Sequence, residues 1–264
     1  MNPDKFQSWT WTLPEGGPSN DLAALESGWS RVLARGGWQR SALGIVGADR
    51  LWLLERPAKH PGAPHRLVAA GFHGEEPAGP WGVLRYFESA SDAELDAIHL
   101  CVLPLVNATG FRAGTRLNAW GENPNRGHGE HAGEAPSKEG QVLAQHAAQL
   151  LRLGRDGVIS CHEDVKRDHA YVYTLEDSPR PGPFSTALAA ANARHFPIHP
   201  DGSLDGLALR DGIVFNQYDG SFEAWMMELG AIRAACVETP GLQPIVSRIA
   251  AQRDMVEAFV RFRT

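Results

Sequence analysis

The chain has 264 residues, 43% of them hydrophobic, with 25 Lys and Arg against 31 Asp and Glu. That length suits one large α/β domain, and the net charge of −6 with no basic stripe argues against a nucleic-acid partner. No apolar run nears the roughly 18 residues of a membrane span, so no membrane partner is expected. The first seventeen residues show neither the basic nor the apolar region of a signal peptide. Three cysteines (Cys101, Cys161, Cys236) lie far apart without CxxC spacing, which fits a reducing cytoplasm better than a disulfide framework.

Trp9 and Trp11, near the start, read most simply as core or surface anchors. Residues 21–33 carry apolar side chains at helical spacing, with Ser19 or Asn20 as the cap. LGIVG and LWLLER follow as a hairpin-like pair of strands around Ala48 and Asp49. Residues 66–72 are a short apolar run bounded by turn residues and predict a buried strand. A helix over 81–87 and a strand over 99–105 come next, and His99 reads as a satisfied core histidine.

Residues 138–153 are the clearest amphipathic helix, with Ser137 as cap and Gly154 at the end. GVISCHE and HAYVYTL read as two strands, and residues 184–193 as a helix. A helix over 221–229, a strand over 232–237 and a closing helix over 244–262 finish the chain. Strands alternating with helices predict a largely parallel or mixed sheet covered on both faces, with nothing forcing a second domain.

Ligands of an α/β sheet bind at strand ends. Three predicted strands end in polar groups: His73-Gly74-Glu75-Glu76, Cys161-His162-Glu163-Asp164, and Glu238-Thr239-Pro240-Gly241. Two histidines and a glutamate form a zinc set with an open fourth position, and a nearby carboxylate would serve as general base. The glycine-rich stretch 107–126 carries Arg116, Asn125 and Arg126, which suit charge-assisted binding of a carboxylate and an oxyanion. His128 and His131 form an HxxH pair that would allow a second metal, while Cys161 should point to the opposite face from His162. Cys236 shares parity with Glu238 and reads as a buried structural thiol.

At these segments the sequence resembles the zinc carboxypeptidase family, the carboxypeptidase A-like metallopeptidases. The HxxE loop appears as FHGEE, giving His73 and Glu76. The segment VNATGFRAGTRLNAWGENPNR supplies Asn107, Gly110, Arg116, Asn118, Gly121, Asn125 and Arg126; Pro136, Ser137 and Glu139 match a helix-opening P-S-x-x-E. His162 in ISCHED matches the third ligand, and Glu238 in ACVETPG the catalytic glutamate.

The resemblance implies a single catalytic domain over residues 1–264, with a mixed, mostly parallel twisted sheet of about eight strands flanked by helices. It implies one zinc per chain on His73, Glu76 and His162, a catalytic pair of Glu238 and Arg116, and substrate binding by Asn125, Arg126 and Tyr218. The expected activity is hydrolysis of the C-terminal bond of a short peptide, a cell-wall fragment being one candidate. A deacylase of N-acylated amino acids and an inactive metal-binding scaffold are the alternatives. The chain departs from the family at Asn123, where the motif has aspartate, and at Glu75, where an arginine is frequent. It looks closer to small bacterial cytoplasmic members than to digestive ones. The sequence leaves the oligomeric state open.

Overall fold

A computed structural model describes residues 19–263; Trp9, Trp11 and the leading segment lie outside the described residues. Helix α1 (Leu22–Ala34) opens the described chain. Its cap is Asp21, whose Oδ1 accepts the Ala24 N–H at 2.9 Å, so the helix starts beyond Ser19 and Asn20. Strands β1 (Gln39–Val46) and β2 (Asp49–Arg56) form the expected hairpin. Then come β3 (His65–Ala70), α2 (Ala78–Ser89), the short α3 (Asp92–Asp96), β4 (His99–Leu103) and α4 (Ala108–Ala113).

The amphipathic stretch after Ser137 is not one helix but two, α5 (Lys138–Gln145) and α6 (Ala147–Gly154). The break falls at His146, whose φ of −108° leaves the helical range. Its Nε2 reaches the Leu43 carbonyl of β1 at 2.7 Å and its Nδ1 lies 3.1 Å from Gln149 Oε1, so a tertiary contact bends the path. Ser137 does cap α5, accepting the Gly140 N–H at 3.0 Å.

The second half holds β5 (Val158–Asp164), β6 (Tyr171–Glu176), α7 (Pro183–Ala193), β7 (Gly202–Leu204), β8 (Leu207–Arg210), β9 (Ile213–Phe215), α8 (Phe222–Glu228), β10 (Arg233–Pro240) and α9 (Ile245–Arg261). The strands form one sheet in the order β1-β2-β4-β3-β5-β10-β6-β9-β8-β7. This corrects the expectation of about eight mostly parallel strands: ten are present among the described residues. Five neighbouring pairs are antiparallel and four parallel.

The parallel run β4-β3-β5-β10 occupies the centre, and hairpins close both edges, where short connections allow only antiparallel pairing. Two of those turns are Asp205-Gly206 and Asp211-Gly212, with φ of 50°, 88°, 51° and 70°. Positive φ at both central positions is what a two-residue I′ hairpin turn requires.

Alternation along the central strands divides the core. Val68, Ile159, Cys161 and Val237 face α1, α2, α7 and α9. Leu67, Val158, Leu103 and Ala234 face α5, α6 and α8. Cys161 thus packs away from the His162 side, as strand parity predicts. No helix among the described residues is long and apolar enough to cross a membrane.

Candidate metal centre

Beyond β3 the chain turns through Gly71, at φ 70°, into the His73–Glu76 loop that feeds α2. The loop is pinned from three sides. Asn107 Nδ2 donates to the Phe72 carbonyl at 3.1 Å, and the Gly74 N–H to the Thr115 carbonyl at 2.8 Å. Asn20 Nδ2 donates to the Gly74 carbonyl at 2.6 Å. His73 and Glu76 are each only 2% exposed, and His162, arriving on β5, 1%.

The three side chains converge. His73 Nδ1 lies 2.6 Å from Glu76 Oε1, and His162 Nδ1 lies 2.8 Å from Glu76 Oε2. Burial depresses the pKa of His73. Burial opposes ionisation of Glu76, but the two histidines outweigh it and hold the carboxyl below its usual range. His162 is raised against its own burial by Glu76 and then Glu238.

These separations are those of hydrogen bonds, and the three donors would part by several tenths of an ångström around a shared cation; the donor types themselves suit one. His73 Nε2 lies 3.0 Å from Asn123 Oδ1, and that same oxygen accepts the Asn125 N–H at 3.0 Å, which sets the amide's orientation. In a neutral ring, a hydrogen on Nε2 would satisfy Asn123 and leave Nδ1 as the ligand atom on the Glu76 side. The Nδ1 lone pair then faces a carboxylate oxygen, an arrangement that calls for a positive ion. Two imidazoles and a carboxylate are a donor set suited to zinc.

Glu238 joins this group from β10. The parallel pairing of β10 with β5 sets Glu238 level with His162. Its Oε1 accepts from Cys236 Sγ at 3.5 Å, whereas Oε2 is buried with no hydrogen-bond partner. Burial, with the neighbouring Glu76 charge second, pushes the carboxyl well above its ordinary range. A cavity of about 620 Å³ opens above His73, Glu76, His162 and Glu238.

The glycine-rich stretch borders the same cavity. Arg116 Nη1 leans 3.2 Å from Glu76 Oε1 and 3.7 Å from Glu75 Oε1, with its side chain 44% exposed. Asn125 is buried; its Oδ1 accepts the Phe222 N–H at 2.8 Å, and its Nδ2 lies 3.2 Å from His162 Nε2. Arg126 donates to the Asn125 carbonyl at 2.7 Å and pairs with Asp219 at 3.0 Å. Asn118, Glu122 and Glu139 form a hydrogen-bonded brace behind the loop.

Tyr218 is not with them. The turn between Asn216, at φ 52°, and Gly220, at φ 73°, directs Asp219 to Arg126 and leaves Tyr218 outside the cavity lining. Its ring lies 5.7 Å from that of His131. The second metal envisaged at His128 and His131 finds no support, because the two rings have separate engagements. His128 Nε2 lies 3.0 Å from the Pro124 carbonyl and the ring stacks on Trp225, while His131 lies 2.5 Å from Glu228 Oε1. Neither belongs to a candidate ligand group among the described residues. His99 is satisfied, as expected, by Glu55 at 2.7 Å.

Sequence reasoning overlooked Tyr171 and Tyr173, which line the cavity from β6. Their spacing of two along a predicted strand was the available signal. The Tyr171 hydroxyl donates to Asp164 Oδ2 at 2.9 Å, and burial raises the pKa of both tyrosines. Glu223 also lines the cavity, accepting from Ser160 Oγ at 2.9 Å and from Asn125 Nδ2 at 3.5 Å.

No family model matches the sequence, and no curated protein matches it. Solved structures do. The chain is 42% identical to the "putative metallopeptidase" of Shewanella amazonensis, covering 92% of this chain and 93% of that one, with a TM-score of 0.88. A metallo-carboxypeptidase from Pseudomonas aeruginosa aligns at 18% identity over 90% of this chain and 68% of its own, with a TM-score of 0.67. The murein-tripeptide amidase of Escherichia coli O157 aligns at 19% identity over 85% and 92%, with a TM-score of 0.56. The latter two likenesses speak for a shared fold. The first, at two-fifths identity along nearly all of both chains, makes this protein a member of the same metallopeptidase family, built on the carboxypeptidase fold.

Proposed function

We propose that the protein is a zinc-dependent exopeptidase, hydrolysing the C-terminal bond of a short peptide. The observation that carries this reading is the convergence of His73, Glu76 and His162 on the cavity, beside the unpartnered oxygen of Glu238. His73, Glu76 and His162 would hold the metal. When bound, zinc supplies a Lewis acid that brings water toward a neutral pKa.

The rest of the chemistry falls to the chain's own side chains. Glu238 Oε2, with no competing donor, takes the proton of the attacking water and delivers it to the leaving amine nitrogen. A carboxyl held above its usual range is suited to that return step, because it keeps the proton long enough to pass on. Arg116, half-exposed and free to swing from Glu76, stabilises the oxyanion as the carbonyl becomes tetrahedral. Arg126, oriented by Asp219, and Asn125 hold the substrate's terminal carboxylate and so place its last bond over the ligands. A cell-wall peptide is the substrate class we favour, in line with the murein-tripeptide amidase sharing this fold. A cytoplasmic setting suits the three free cysteines.

Metal content by mass spectrometry tests the first half. We expect about one zinc per chain, lost in His162→Ala; no zinc after supplementation would overturn the assignment. Kinetics test the second half. Arg126→Ala should raise KM on peptides ending in a free carboxylate and spare amidated ones. An unchanged KM would remove the exopeptidase reading.

A further inference from the structure

A second cavity, of about 550 Å³, opens between α1, α2 and α9, and none of its lining residues lines the metal cavity. That volume falls in the range of small-molecule sites. Part of its wall is apolar. Val246, Ile249 and Ala250 stand at helical spacing on α9, and Val32 of α1 joins them. Val246 is 52% exposed, whereas Ile249 and Val32 are buried.

Most of the remaining wall is basic. Arg31 and Arg35 come from the end of α1, Arg85 from α2 and Arg253 from α9. Arg35 is fixed in place by the Phe87 and Ala90 carbonyls, each accepting at 2.8 Å. Glu88 is the one carboxylate among the described lining residues, and Arg31 at 2.9 Å and Arg85 at 2.7 Å share it. Outside the lining, Asp92 pairs with Arg35 at 3.4 Å and Asp254 with Arg253. The wall thus sets four guanidiniums against one carboxylate, on a chain whose net charge is −6. A local charge opposite in sign to that of the whole molecule favours an anion here.

We propose that this groove binds a free medium-chain carboxylate, with its alkyl tail on Val32, Val246, Ile249 and Ala250 and its head among the four arginines. A guanidinium donates paired N–H bonds that match a carboxylate's two oxygens. The apolar strip is short, with three of its four side chains inside five residues of α9. That suits a single alkyl chain, whereas a docked amphipathic helix needs anchors over several turns. The site shares no residue with the metal centre, so it stands apart from the peptidase reading.

The test is calorimetric titration of the full chain with sodium octanoate, decanoate and dodecanoate, each kept below its micelle concentration. About one molecule should bind per chain, and affinity should rise about fourfold for each added methylene. Dodecyltrimethylammonium, with the same tail and the opposite charge, should bind at least about tenfold more weakly. The double variant Arg31→Glu/Arg253→Glu should weaken dodecanoate binding by about tenfold or more. Val246→Asp, altering a side chain already half in solvent, should do the same. Arg180→Glu, an equal charge reversal at an exposed position outside the groove, should bind as wild type does. No binding by the wild type, equal binding of the cationic amphiphile, or full affinity in both groove variants overturns the site. Two other occupants would also overturn it. A molecular mass that rises with protein concentration and falls in Val246→Asp would put a second copy in the groove. Binding to anionic vesicles but not to dissolved dodecanoate would make it a membrane contact.

Discussion

Gly74 lies between the proposed ligands His73 and Glu76, and the space around it invites a direct trial. Its φ is not positive, so its conformation is open to any residue; what glycine provides there is room. A Cβ at position 74 would fall 1.9 Å from the Gly110 carbonyl carbon, 2.0 Å from its oxygen and 2.3 Å from the Phe111 nitrogen. All three are backbone atoms of α4, itself tied down by the Asn107 cap. To reach even 3.0 Å from the nearest of them, the loop must retreat by 3.0 − 1.9 = 1.1 Å.

Overpacking of that kind costs about 1–3 kcal/mol. In a chain of this size the loss corresponds to a fall of roughly 2–12 °C in Tm. A shift of an ångström also spoils the spacing of ligands on either side, and we expect zinc affinity to drop about 10- to 100-fold. The Gly74→Ala protein should be compared with wild type by thermal unfolding after chelation and by competition with a chromogenic chelator. Wild-type values for both Tm and zinc Kd would refute the argument that close backbone approach sets the ligand loop.

Asn123→Ala removes the acceptor that holds Nε2–H of His73; zinc should dissociate about 10-fold faster, and a wild-type off-rate would count against the orientation role. Glu223 is 4% exposed, bonded to the neutral donors Ser160 and Asn125, and has no cationic partner among the described residues. Peptides ending in lysine or arginine should therefore be preferred, and Glu223→Gln should erase most of that preference in kcat/KM; a preference unchanged in the variant would refute it. Asp254 is held below its ordinary carboxyl value, for although burial opposes this, His195 and Arg253 outweigh it. Its depressed folded pKa contributes stability above the unfolded value that is lost as pH falls through the folded one. Asp254→Asn should cost about 1 kcal/mol at neutral pH, a gap that closes as pH falls from the ordinary carboxyl value through the lowered folded one; a pH-independent gap in urea unfolding would contradict it.

The convergence of the His73–Glu76 loop, His162 and Glu238 was legible because each is a polar group at the end of an apolar run, a pattern visible without tertiary information. The α5–α6 break was not: the helical periodicity continues through His146, and what bends the chain is a bond to Leu43 on a distant strand. Strands β7 to β9 are three or four residues long, too short to show alternation, yet their Asp-Gly turns were in plain view. Tyr218 was expected at the site as the nearest match to the family's substrate-binding tyrosine, about twenty residues before Glu238, and its ring stands outside the cavity lining. Distance along a chain says nothing of how a tight turn with two positive-φ residues directs successive side chains.

The alternation at the end of β5 bears on which insertions and deletions this family can tolerate. His162 faces the cavity, while Glu163 faces the other way, its carboxylate accepting the Ala78 N–H at the start of α2 at 2.7 Å and pairing with Arg248 of α9. One strand end thus serves two unrelated tasks at adjacent positions. Deleting a single residue from β5 would interchange them, turning the ligand toward the helices and the helix cap into the cavity. Length changes must therefore be absorbed outside the strand, in the loop over 165–170 or the turn before Val158, while β5 itself keeps its count.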